Sequence, residues 1–530
     1  LAADPAVKSK ARRLHVGTFH ALCLELLKKR GQAFTLADSW ETLDLAADIV
    51  KEYGLGLSAG AFLQQVSLAK SVWPKDGEVP GADENAHNRE KLSAAIQTYN
   101  SRLHQQGALD FDDLILEVLK ISDEVWPEFD YLLVDEFQDI NPVQYALIRH
   151  WNRQGKELFV IGDGDQSIYG FRGSDSRCFL KLAQDFPGTR MLRLTQNYRS
   201  SPQILECALS VIHHNPGEKR RLEAFLPDGE PVRVVHGQSE RAMAIYIARE
   251  INRYIGGIDM LDAQENAWQA RDTQTRSFSD IAILYRTHRQ AKLLEECLQS
   301  EGIPYVVAGR DDFLTEKSVR GSLAFFDWML NPQDEMAAGT CLKLLWDYEN
   351  NAMSREILES YRAQFDQAFK KKPDKFMETW IKAMDFSQDA AMEKLAHMTG
   401  FYKTMAEFMD AVHLGIESDL TRCGSKNYDA QAVTLMTLHG AKGLEFPVVM
   451  LSGVEKGMLP YESEKHPANT EEERRLFFVG ITRAKEELVI TWFGESSDFL
   501  EELPDTVLRQ EASRARQTHS GRQMSLFDFM

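Results

Sequence analysis

The 530 residues hold only six cysteines, Cys23, Cys178, Cys207, Cys297, Cys341 and Cys423, and no two form a CxxC pair. That scatter argues against a disulfide frame or a zinc site and for reduced thiols in a cytoplasmic protein. No run of about 18 apolar residues occurs, so no membrane span is expected. The pattern GxxxxGK[ST], whose amides and lysine cradle nucleotide phosphates, occurs nowhere. Positive charge is also short, with 61 Lys and Arg against 80 Asp and Glu and a formal charge of −19. This excludes a chain that coats nucleic acid by bulk charge, but not one with a local basic groove. The opening Leu1-Ala2-Ala3-Asp4-Pro5 lacks a methionine and resembles neither a signal nor a transit peptide. The expectation is a fragment whose beginning is missing.

At this length the chain should split into three or four compact units. It is organised around Tyr131-Leu132-Leu133-Val134-Asp135-Glu136-Phe137-Gln138-Asp139. Four apolar residues ending at two carboxylates read as a parallel strand covered on both faces. Ligands of open α/β sheets bind beyond the carboxyl ends of strands. Asp135 and Glu136 therefore stand where magnesium is held and an attacking water is deprotonated. An acidic turn without chemistry is the plain alternative.

Upstream, Leu14 to His20 reads as a short strand running into a helix over Ala21 to Arg30. Thr18 and His20 there either hold a phosphate or simply cap and pack the helix. A helical insertion follows, and Leu109 to Leu114 restarts a helix. Asn141-Pro142 opens another, with proline suited to the first turn. Glu157 to Gly173 is a strand, then a loop rich in glycine and acid, then aromatics beside an arginine. Gln166 suits a terminal phosphate or the attacking water. Tyr169 and Phe171 suit base stacking, and Arg172 a phosphate. Leu192 to Pro202 is a strand–loop–helix junction, where Tyr198 offers a flat face and Arg199 a planar fork. Strands at Val232–Val235, Ile281–Tyr285 and Pro304–Val307 alternate with helices, and residues 321–427 read almost entirely as helix. Beyond them come a loop carrying His439, Lys442 and Glu445 between two strands, then a charged helix followed by Arg483.

Five of these blocks, in this order, resemble the UvrD/Rep type of superfamily 1 DNA helicase. They are Val134-Asp135-Glu136-Phe137-Gln138-Asp139, Gly162 to Tyr169, Gln196-Asn197-Tyr198-Arg199-Ser200, Thr437 to Glu445 and Val479 to Ala484. The resemblance implies an α/β fold of two RecA-like parallel-sheet domains, each interrupted by a helical insertion, with ATP in the cleft between them. The first domain would be 1–32 with 107–193 and its insertion 33–106. The second would be 194–320 with 428–500 and its insertion 321–427. By similarity Asp135 and Glu136 would hold Mg2+, with Glu136 the catalytic base, and Gln166 would sense the terminal phosphate. Tyr198 would stack on adenine, Glu445 would contact the ribose, and Arg199 and Arg483 would stabilise the transferring phosphoryl group. Thr18, Phe19, His20, Tyr169, Phe171, Arg172 and His439 would line the track for single-stranded DNA, with 3′-to-5′ polarity. Family members carry the GxxxxGK[ST] loop ahead of the Thr18-Phe19-His20 block, and here it is absent. These residues alone should not hydrolyse ATP.

Residues 501–530 read as a flexible tail. Its Gln523-Met524-Ser525-Leu526-Phe527 resembles the peptide by which bacterial replication and repair proteins hold the sliding clamp; Gln523, Met524, Leu526 and Phe527 would make that contact. Docking of the tail on the chain's own surface is the alternative. Two other functions compete with the helicase. A helicase–nuclease subunit would need a nuclease domain after the helicase body, where only about thirty residues follow the last expected strand. A non-hydrolysing DNA-binding scaffold would have no need for Asp135, Glu136, Gln166, Arg199 and Arg483 together.

Overall fold

The computed structural model describes residues 14–31, 34–71, 86–121, 129–153, 155–174, 177–256, 276–309, 313–348, 352–400, 402–415, 431–462 and 469–512. The chain divides into two compact units, Leu1–Thr189 with Asp311–Gly424, and Arg190–Arg310 with Ser425–Met530. Both mix helices with parallel strands, so the fold class is α/β.

In the first unit the helices Phe19–Lys29, Phe111–Leu119 and Pro142–Trp151 close over Leu24, Leu27, Leu114, Val118, Leu147 and Trp151. Local chemistry starts each helix. Thr18 accepts from the N–H of Ala21, Asp110 and Asp113 form a reciprocal capping box, and Asn141 caps a helix whose first residue is Pro142. Strand Tyr131–Val134 pairs in parallel with Glu157–Val160, Leu133 opposite Phe159.

Leu132, Val134, Leu158 and Val160 pack on the helical cores. Tyr131 and Leu133, however, are 60% and 71% exposed. The strand is thus covered on one face and not on both as expected, because these two strands pair only with each other among the described residues and the helices lie on one side. Leu14 and Val16 are likewise exposed and outside any strand, since no neighbour among the described residues supplies the pairing their pattern needs.

The first insertion is built from Ser39–Tyr53, Ala59–Ser71 and Ala86–Gln105, around Ile49, Phe62, Val66 and Tyr99. Lys70 anchors it to the helix start before the carboxylate strand, its buried Nζ lying 2.6 Å from Asp110 and 2.8 Å from Asp113. Two carboxylates oppose one ammonium here, and the Tyr99 hydroxyl donates to Asp110 at 3.2 Å.

The later helical segment has a core of aromatics and methionines, as its sequence suggests. Phe325 stacks on Trp380 at 4.8 Å, and Phe326, Phe365 and Phe376 close around them. This segment packs with the first unit. Asn331 donates to the Thr35 hydroxyl at 3.0 Å, Met336 joins the core of the first insertion, and Arg320 lies 4.6 Å from the Trp40 ring.

The second unit holds a seven-stranded sheet, parallel at every pairing. Its order is Leu508–Glu511, Arg233–Gly237, Ala484–Phe493, Phe446–Ser452, Ile281–Tyr285, Val433–Thr437 and Tyr305–Val307. Leu508–Glu511 falls within the stretch 501–530 expected as a flexible tail, and it is instead an edge strand because the Arg233–Gly237 edge is open to pair with it. All five residues of Ile281–Tyr285 are buried, the signature of a central strand covered on both faces. Helices Glu240–Tyr254 and Ala291–Ser300 cover one face through Ile247, Ile251, Leu294 and Leu298. Within the strand–loop–helix junction expected over Leu192–Pro202, the strand is the two residues Gln196–Asn197, which pair with Glu223–Ala224.

Candidate functional site

Asp135 and Glu136 emerge, exposed, directly from the end of strand Tyr131–Val134. Glu136 adopts the left-handed conformation, φ 50° and ψ 41°. Such a non-glycine residue costs about 1–3 kcal/mol and persists only where neighbours over-determine it. Here Phe137 is fully buried, lies 5.1 Å from the Phe179 ring, and donates its N–H to the Ile161 carbonyl at 2.9 Å. Asp135 accepts the Glu136 N–H at 2.9 Å.

Gln138, 1% exposed, donates from Nε2 to the Glu136 carboxylate, and its Oε1 accepts the Asp163 N–H at 2.9 Å. The Asp163 carboxylate in turn receives Gln166 Nε2 at 2.8 Å. Two residues thirty positions apart, Glu136 and Gln166, thus belong to one network. Among the described residues no cluster of three or more His, Cys, Asp or Glu could cage a metal. Magnesium needs only one or two carboxylates when water and phosphate complete its shell, and the exposed pair Asp135 and Glu136 fits that mode.

Downstream on the same loop, Arg172 lies 5.6 Å from the Tyr169 ring and 5.7 Å from the Phe171 ring. Gln64 of the first insertion donates to the Phe171 carbonyl at 3.3 Å, which ties the loop to helix Ala59–Ser71. Phe171 and Arg172 are exposed. Phe171→Ala is expected to weaken single-strand binding by about 1–3 kcal/mol, the worth of one base stack. Arg172→Ala should instead lower the salt dependence of binding by about one counterion. Titration of a labelled oligonucleotide at several salt concentrations separates them, and equal salt slopes would remove Arg172 from the track.

The Thr18-Phe19-His20 block is placed differently. Thr18 caps its helix, Phe19 stacks on Trp151 at 6.2 Å, and His20 stacks on Phe111 at 3.7 Å. Burial pushes the His20 ring down to about 3, against the opposing pull of Asp110. A neutral ring brings no charge to a phosphate.

In the second unit, Tyr198 is 65% exposed and lies 5.0 Å from the ring of Phe225, itself 64% exposed. Arg199 donates from Nε to Glu445 at 2.7 Å and from Nη1 to the Thr482 carbonyl at 3.4 Å. Lys485 also lies 2.7 Å from Glu445. Hydrogen bonds from Lys485 and Arg199 hold the Glu445 carboxyl below its usual value.

Arg483 is 1% exposed. Its guanidinium donates to the carbonyls of Val479 at 2.9 Å and Leu444 at 3.1 Å, and to the Thr482 hydroxyl at 3.1 Å. Tyr198, Arg199, Glu445 and Arg483 therefore come together from three distant segments. His439 lies half-buried in the turn after Val433–Thr437. Gln138, Phe225 and Lys485 were not singled out from the sequence. Gln138 and Lys485 lie inside or beside motif blocks, whereas Phe225 has no local signal at all. Gln523, Met524, Leu526 and Phe527 lie outside the described residues.

The fold is of the α/β class, with exposed carboxylates at a strand end in the first unit and an exposed tyrosine gathered with two arginines in the second. Residues 3–187 match the UvrD/REP helicase N-terminal domain, and residues 192–389 and 343–495 the UvrD-like helicase C-terminal domain. Among curated relatives, the ATP-dependent DNA helicase Rep of Escherichia coli is 30% identical over 590 residues, covering 96% of this chain and 85% of its own length. The ATP-dependent DNA helicase PcrA of Bacillus subtilis is 29% identical over 579 residues, covering 93% and 76%. The chain belongs to the UvrD/REP helicase family.

Proposed function

We propose that this chain is the motor body of an ATP-dependent DNA helicase that moves 3′ to 5′ along a single strand during replication or repair. The observation that carries the reading is the pairing of two chemistries in one chain. Carboxylates and a glutamine suited to metal and water sit at strand ends in the first unit, and a tyrosine with two arginines suited to a nucleotide is assembled in the second. Bound ATP supplies the phosphoryl group whose transfer to water releases the energy. Asp135 holds the magnesium side of the site, and Glu136 takes a proton from the attacking water. Tyr198 offers its exposed face to the base, Glu445 accepts from the ribose, and Arg199 and Arg483 supply positive charge to the phosphoryl oxygens. Tyr169, Phe171 and Arg172 hold the single strand by stacking and charge, with partially duplex DNA as the substrate unwound.

None of the 530 residues forms GxxxxGK[ST], so turnover by these residues alone is expected to stay below about one per second. In a protein that also supplies a phosphate loop, strand displacement is expected on a partial duplex with a 3′ tail and not with a 5′ tail. Tight binding to single strands without turnover or displacement would replace the motor with a scaffold.

The tail adds a partner. Gln523 followed by Met524, Leu526 and Phe527 suits a clamp pocket with a polar rim and an apolar floor, and tethering would raise the local concentration of the protein at DNA. Calorimetry of a peptide spanning Gly521 to Met530 against a bacterial sliding clamp is expected to show binding that Leu526→Ala with Phe527→Ala removes. Binding indifferent to those changes would return the tail to the chain's own surface.

A further inference from the structure

We infer that Gln138 is a positioning residue for the hydrolytic step, joining the Glu136 carboxylate to the loop that carries Gln166. The inference rests on the reading of Glu136 as the base.

A primary amide both donates and accepts, and Gln138 uses each end on a different strand terminus. Its Nε2 donates to Glu136, at the end of Tyr131–Val134, and its Oε1 accepts the Asp163 N–H, just past Glu157–Val160. Turning the amide over would set an oxygen against a carboxylate and an N–H against an N–H, so the partners themselves fix its orientation. A third link does not use the side chain: the Ser167 hydroxyl donates to the Gln138 main-chain carbonyl at 3.1 Å. Gly162 leaves the necessary room, since a Cβ there would collide with Gln138 Oε1.

This arrangement has a mechanical consequence. Glu136 stands in a left-handed conformation and exposed, so its carboxylate needs a tether if it is to meet a water in one place. Asp163, which receives the Gln138 link, also receives Gln166 Nε2. A displacement of the Gly162–Ser167 segment therefore reaches the base through the buried Gln138 amide, alongside the Ser167 link to the Gln138 main chain. Tyr169, Phe171 and Arg172 follow that segment directly, so a strand stacked on them bears on the same link.

The test is steady-state turnover in a protein that supplies a phosphate loop, with Gln138→Met, which keeps volume and removes both polar ends, and Gln138→Asn, which keeps both ends but is one methylene short. Each is expected to lower kcat by about 10- to 100-fold, with KM for ATP unchanged. Joined to Glu136→Gln, either should give a double variant no slower than Glu136→Gln alone, because Gln138 acts through that carboxylate. Losses that multiply, or an unchanged kcat in folded Gln138 variants, would overturn the inference. Melting curves identify a variant that has not folded, and the asparagine form then decides. Glu136→Gln run in parallel separates the two readings. If it is inactive while the Gln138 variants are normal, only the linkage falls; if it is active, the base assignment falls and takes the linkage with it.

Discussion

Glu136→Gln is expected to lower ATP turnover by about 100- to 10,000-fold, the span assigned to a positioned general base. The measurement is single-strand-stimulated hydrolysis by a protein that supplies a phosphate loop. The substitution is close to isosteric and falls at an exposed position, so neither core nor sheet is disturbed. Asp135 stays in place for the metal, and Tyr169, Phe171 and Arg172 stay in place for the strand. Nucleotide and DNA binding should therefore persist while chemistry stops. Turnover within tenfold of wild type would remove Glu136 from the base role and leave the exposed pair as metal ligands only.

A comparable loss, about 1,000-fold, is expected for Arg483→Ala, the lower range for an arginine that stabilises a transferring phosphoryl group. The structure changes how that experiment must be read. Arg483 is buried, and its donors satisfy the Val479 and Leu444 carbonyls and the Thr482 hydroxyl. The Val479 carbonyl keeps the Thr482 hydroxyl at 3.0 Å, but the Leu444 carbonyl loses its Arg483 donor; an unpaired buried acceptor costs about 1–3 kcal/mol, so the alanine variant should melt lower as well as turn over slowly. Arg483→Lys distinguishes the causes. It keeps the charge but loses the planar fork, and is expected to recover much of the melting temperature while turnover stays low. Recovery of both together would make Arg483 a structural arginine that braces the segment from Val479 to Ala484.

The α/β class, the carboxylates at a strand end and the five motif blocks were legible in the residue order, because each depends on neighbours within about ten positions. An apolar run that stops at Asp135-Glu136, or a proline after a capping asparagine, carries its physics locally. The methionine and aromatic core of the later helical segment was readable for the same reason.

What needed the folded chain was every property set by distant partners. Tyr131 and Leu133 have the composition of buried strand residues, yet they are exposed, because coverage depends on which strands and helices arrive from elsewhere. The sequence left His20 open to two readings, a phosphate contact or a packed ring, and only the folded chain sets it against Phe111, ninety-one residues away, where burial lowers its pKa. Phe225 meets Tyr198 only because Glu223–Ala224 pairs with Gln196–Asn197. In sequence, residues 311–424 interrupt the second unit, yet they pack with the first through Thr35, Trp40 and the core of the early insertion. Local pattern specifies which face of an element is apolar; only tertiary packing decides what that face meets, and so which polar groups are left desolvated, paired or open to a ligand.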